Sequence, residues 1–175
     1  IMFGHQENIG DWATHLMKIR DLQNKTGGIT EFIPLPFVSM ESPMYRRGQA
    51  RPGPTFREVL LMHAVSRLYL HPIIKNIQTS WVKLGKNAAL SCLNAGANDL
   101  GGTLMDESIS KSAGGIHGQE FYPREMESFI QDMKRIPVLR DTLYNPINQT
   151  SLPNQSSLML SDKIHSLVDS AYPVI

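Results

Sequence analysis

TFREVLLMHAVSRLYLHPIIKNIQTS, running from Thr55 to Ser80, reads as a helix followed by a short strand. Thr55 and Glu58 stand three residues apart, the spacing of a capping box in which each side chain satisfies a backbone N–H at the helix start. Leu61, Ala64, Val65 and Leu68 then recur at helical spacing and predict a buried stripe. His71-Pro72 closes the helix, because the residue before a proline is biased away from helical backbone. Lys75 to Thr79 then supplies the strand.

The same alternation extends outward from this unit. Upstream, Ile9, Trp12, Leu16 and Ile19 mark one face of a helix from Ile9 to Lys25, and Gly27-Gly28 falls where a C-cap belongs. Thr30 to Pro34 reads as a strand that stops at the proline, which has no N–H for a ladder. A long loop from Leu35 to Pro54 follows, and loops of that length in compact domains are often functional. Downstream, Asn87 to Asn94 reads as a small-residue helix stopped by Gly96, then strand-like Ala97 to Leu100 and a glycine-rich loop. Met126, Phe129, Ile130 and Met133 mark a further helix, opened by Pro123, and Val138 to Tyr144 reads as a last strand.

Units of roughly thirty residues, each a strand and a helix, are what a (β/α)8 TIM-type barrel is made of. Three or four units cannot close one, so the expectation is an α/β chain whose residues 1–146 form half of a barrel. An open doubly wound sheet is the alternative, but the glycine-rich phosphate turn that usually opens its first helix is missing. Residues 147–175, rich in Asn, Gln and Ser, read as a loosely attached tail with a weak helix near Lys163 to Val168.

Composition narrows the class of partner. Lys and Arg total 17 against 16 acidic residues, so no positive excess favours nucleic acid. No apolar run is long enough to predict a membrane span, and the first residues do not read as a signal peptide. Cys92 is the single cysteine, which excludes an internal disulfide framework and fits a reducing compartment such as the cytoplasm. The apolar start at Ile1-Met2-Phe3 has no polar lead-in, which suggests truncation.

In a barrel, strand ends and the loops after them face the active-site mouth. His5, Gln78 and Ser80, and Asn98 with Asp99 hold such positions. Gly4 beside His5 permits a close backbone approach. Gln78 and Asn98 are amides that need partners once buried, whether substrate, cofactor or backbone. Asp99 reads equally as an ionised acceptor or as a cap on the glycine loop. Gly101-Gly102-Thr103 lacks the lysine and spacing of a phosphate loop. Glu41 and Glu107 read as solvated loop acids, and His63 as a surface or core histidine. Arg46, Arg47 and Arg51 read as anion contacts or a solvated basic loop. The histidines show no metal-ligand spacing.

Five strings taken in order carry a resemblance: MFGH (2–5), TEFIPLPF (30–37), ARPGPTFRE (50–58), NIQTSWVKLG (76–85) and GANDLGGTLMDESIS (96–110). Together they resemble the FO-synthase family of radical S-adenosylmethionine enzymes, in the half that uses tyrosine. The resemblance covers Ile1 to Tyr144 and implies the C-terminal half of that superfamily's barrel. It implies S-adenosylmethionine and a 4Fe–4S cluster as cofactors, with tyrosine and 5-amino-6-(ribitylamino)uracil joined to make a deazaflavin precursor. It further implies a substrate-facing wall of His5, Gln78, Ser80, Asn98, Asp99, Gly101 and Thr103, and a separate N-terminal half-barrel as partner. The family's C-x-x-x-C-x-x-C cluster motif is absent, so this chain alone is expected to be inactive. An aminofutalosine synthase of menaquinone biosynthesis would share the chemistry and similar strings. A cluster-free half-barrel acting as a binding module is the reading from a different class.

Overall fold

The computed structural model describes residues 1–104, 108–117 and 120–147. The expected tail and its weak helix lie outside the described residues, apart from Ile147, as does Glu107. Strand β1 (Met2–Phe3) leads into α1 (Ile9–Thr26), whose Asn8 and Asp11 form a reciprocal capping box. Gly27 ends the helix in the left-handed region at φ 63°, as the Gly27-Gly28 pair predicts. Strands β2 (Glu31–Phe32) and β3 (Leu35–Pro36) follow on either side of Pro34. After α2 (Pro43–Arg46) comes α3 (Phe56–Leu70), opened by the Thr55–Glu58 capping box. Then come β4 (Asn76–Ile77), α4 (Trp81–Leu84), α5 (Lys86–Asn94), α6 (Ile109–Ser112) and α7 (Pro123–Asp132).

The strand expected to stop at Pro34 instead changes partner there. Before the proline, β2 pairs in parallel with β4, Phe32 opposite Ile77; after it, β3 pairs in parallel with β1, Phe3 opposite Pro36. The expected loop from Leu35 to Pro54 therefore contains a strand and a short helix. Ala97 to Leu100 contributes a single parallel bridge, Gln78 to Asp99, flanked by Asn98 N–H to Ile77 O at 3.0 Å and Thr79 N–H to Asp99 O at 2.8 Å. The parallel segments thus follow one another in space in chain order. Val138 to Tyr144 is not a strand. Asp141 accepts from the N–H groups of Leu143 and Asn145 and winds the chain into a turn, leaving an antiparallel bridge between Arg140 and Pro146.

Burial alternates along these strands. Phe32, Ile77 and Thr79 are buried beneath helices, whereas Glu31, Ile33 and Leu35, and Asn76, Gln78 and Ser80, are half-buried on the opposite face. The core lies between the strands and the helices. Phe3 meets Trp12 edge to face at 5.4 Å, and Trp81 meets Phe121 likewise at 5.4 Å.

Two helix faces differ from expectation. On α1, Trp12 and Leu16 are buried, but Ile9 is 72% exposed and Ile19 half-buried. On α3 the buried residues are Val59, Met62, His63, Ser66 and Leu70, while Leu61 and Val65 are exposed and Leu68 is 82% exposed. Arg67 flanks the buried stripe, and its guanidinium donates to Gly96 O (2.6 Å), Lys75 O (2.6 Å) and Asn98 Oδ1 (2.5 Å), tying that side of the helix to the strand ends.

Candidate functional site

The half-buried strand face, which no helix among the described residues covers, gathers side chains from distant parts of the chain. Glu31 at the start of β2 and Asp99 at the bridge to Gln78 converge on one point, occupied by the Tyr144 hydroxyl, which hydrogen-bonds with Glu31 Oε2 and Asp99 Oδ2. Arg140 donates to Asp99 Oδ2 from Nη2 (2.6 Å) and Nε (3.1 Å), with Nη2 4.0 Å from Glu31 Oε2. Its guanidinium also lies 3.9 Å from the centre of the Tyr144 ring. Gln78 Nε2 donates to Glu31 Oε2 at 3.4 Å. Burial pushes the Tyr144 phenol well above its ordinary value, and the two carboxylates add to the shift, so the hydroxyl stays protonated and donates. The cluster sets two carboxylates against one guanidinium, an arrangement that accepts hydrogen bonds in a sparsely hydrated place.

Asp99 does both things its sequence position suggests. Oδ1 accepts from Gly101 N–H at 2.6 Å, capping the glycine loop, while Oδ2 enters the cluster. Gly101 sits against Gln78, where an added Cβ would come 3.2 Å from the amide. Gln78, Asp99 and Gly101 are therefore brought together. Ser80 lies on the same face as the N-cap residue of α4, its hydroxyl making no capping bond, and Thr103 is exposed beyond the glycines. Asn98 is turned to the opposite face. Its Oδ1 accepts from Ile77 N–H (2.9 Å) and from Arg67, so its amide ties β4 to α3 rather than facing the open side.

His5 belongs to a second group at the end of β1. Gly4, at φ 92°, lies so close to Pro54 that any Cβ would overlap the proline ring, as the expected close approach requires. The His5 ring stands 5.5 Å from Phe37, and Nδ1 is 2.8 Å from Glu7 Oε2 without hydrogen-bond geometry. Burial alone would raise the Glu7 carboxyl, but N–H donors of Gly4, Gln6 and Trp12 outweigh it and hold it down at about 2. Arg51 is half-buried and already paired within the chain. It donates to Gly4 O (3.1 Å) and pairs with Glu58 at 2.6 Å. An open cleft of about 430 Å³ between the start of α1 and α3 is lined by Glu7, Trp12, Arg51 and Glu58.

Sequence reasoning misses three members of the main cluster: Glu31, Arg140 and Tyr144. For Glu31 a signal exists, since alternation in TEFIPLPF places it with Ile33 and Leu35 opposite the buried Phe32. For Arg140 and Tyr144 no local pattern exists, because a turn carries them back to the sheet.

Residues 14–152 match the family described as CofH/MqnC C-terminal region. This chain belongs to that family. The 5-amino-6-(D-ribitylamino)uracil–L-tyrosine 4-hydroxyphenyl transferase of Methanopyrus kandleri is 50% identical to it over 147 residues, which cover 84% of this chain and 40% of that protein. The transferase of the same name from Methanothermobacter thermautotrophicus is 48% identical over 147 residues, with the same coverage. The FO synthase of Mycobacterium leprae is 48% identical over 144 residues, 82% of this chain but 17% of that protein. As a CofH/MqnC C-terminal region, the chain spans two fifths or less of the length of these relatives.

Proposed function

We propose that this chain is the C-terminal part of a radical S-adenosylmethionine transferase that joins the 4-hydroxybenzyl group of tyrosine to 5-amino-6-(ribitylamino)uracil. The observation that carries this is the 50% identity to a transferase named for those two substrates. Consecutive parallel segments, each followed by helix, support the reading of residues 1–146 as half of a (β/α)8 barrel whose other half is N-terminal. In that reading the uncovered strand face is the inside of the barrel. Gln78, Asp99 and Gly101 form its floor, with Ser80, Thr103 and His5 towards its rim.

A 4Fe–4S cluster would supply the electron that cleaves S-adenosylmethionine, and three converging thiolates are needed to hold it. This chain's residues do not fit it. Cys92 is the single cysteine, it is buried in the core, and burial pushes its thiol up to about 11. Among the described residues there is also no group of three His, Cys, Asp or Glu side chains that could hold a metal ion. Cluster and S-adenosylmethionine therefore belong, in this reading, to the N-terminal half, and this chain's part is to bind and orient the substrates.

The test is anaerobic purification of the native protein, measuring its intact mass and iron and assaying it with S-adenosylmethionine, tyrosine and 5-amino-6-(ribitylamino)uracil. A mass well above that of 175 residues, about four irons per polypeptide and the coupled product by mass spectrometry are expected. An iron-free protein no larger than this chain, forming no product, would leave a binding module in its place.

A further inference from the structure

We propose that Glu31 and Asp99 are the specificity-determining acceptors for the 4-hydroxyphenyl O–H of the substrate, and that Tyr144 holds their position in the substrate-free protein. This rests on the transferase reading above. Both carboxylates aim at one point, and the group found there is a phenol. Arg140 balances one of the two negative charges, so the point calls for a hydrogen-bond donor. It also offers its guanidinium face to an aromatic ring, at 3.9 Å in the structure. A phenol meets both demands at once, whereas an aliphatic hydroxyl leaves the guanidinium face empty and an unsubstituted phenyl leaves the acceptors without a donor. Gln78, donating to Glu31 Oε2, keeps that carboxylate aimed at the same point.

Tyr144 is placed to be exchanged. It sits in a turn rather than in a strand, and its backbone adopts φ 67°, a left-handed conformation unfavourable to a bulky residue. The relatives are named for the 4-hydroxyphenyl group of L-tyrosine, the same group that Tyr144 places between the carboxylates. Substrate entering this point would make interactions of the same kind as those of Tyr144, and would have to displace Tyr144 to do so.

p-Cresol, which is the tyrosine side chain as a free molecule, tests this in the full-length protein without turnover. Tyr144→Gly removes the phenol and suits the left-handed backbone, so the variant should fold. It is expected to bind p-cresol at least tenfold more tightly than wild type does. 4-Methylanisole, which has no O–H, should bind at least tenfold more weakly than p-cresol, and adding Glu31→Gln should weaken p-cresol binding. Should the glycine variant fail to fold, Tyr144→Ala is the substitute; it also removes the ring from between the carboxylates, and the same gain in p-cresol affinity is expected. A folded variant with no gain, or with equal affinity for p-cresol and 4-methylanisole, would overturn the proposal. Intact p-cresol discrimination in a protein that makes no coupled product would instead overturn the transferase reading and leave the phenol subsite standing.

Discussion

Glu7 shows how one side chain fixes the end of a strand. Its two oxygens accept from the N–H groups of Gly4, His5 and Gln6 and from the Trp12 indole, so the chain between β1 and α1 is wound around a single carboxylate. Ionisation is built into that arrangement, because the carboxyl, at about 2, lies below its ordinary 4.5. A depressed acid contributes stability that is complete above the ordinary value and is lost as pH falls through the depressed one. Denaturant melts between pH 5 and pH 2 should therefore show falling stability. Glu7→Gln should remove much of that slope and should lower stability at pH 7 by roughly 2 kcal/mol. An unchanged slope in the variant would mean that other acids carry the effect.

Helix α3 shows where element-level reading succeeds and where it stops. The capping box at Thr55 and Glu58 is fully legible, because it depends on four neighbouring residues. The buried face is not. Val59, Met62, His63, Ser66 and Leu70 repeat at helical spacing just as Leu61, Ala64, Val65 and Leu68 do, and the contacts that accompany the buried stripe, Arg67 reaching residues 75, 96 and 98, lie far along the chain. The same limit hides two of the five members of the cluster on the opposite strand face. Gln78, Asp99 and, by alternation, Glu31 are strand residues, whereas Arg140 and Tyr144 depend on a turn that Asp141 winds within a β-prone stretch. Met62→Ala should cost about 2–4 kcal/mol through the cavity it leaves. Leu68→Gln should stay within about 0.5 kcal/mol of wild type, and a cost as large as that of Met62→Ala would mean that this face is covered in the whole protein.

Across the whole molecule, Arg67 joins α3 to two other segments, one at Lys75 and one from Gly96 to Asn98. Arg67→Met would leave Gly96 O and Lys75 O without that donor, and about 2–3 kcal/mol of stability should be lost. The expected reading is a lower denaturant midpoint at unchanged slope; a shallower slope would show instead that the strand layer separates from the helices before the rest unfolds. The strand order has a consequence of its own. Each parallel segment meets its chain neighbour, through hydrogen bonds that span 32 residues from Ile1 to Ile33 and 46 from Asn76 to Thr30, so within the strand layer pairing waits only for the next unit, and Tyr144 reaches Glu31 afterwards. Such a layer can form progressively while the ribosome is still adding residues, and a premature stop after any unit would leave an ordered edge rather than a tangled chain.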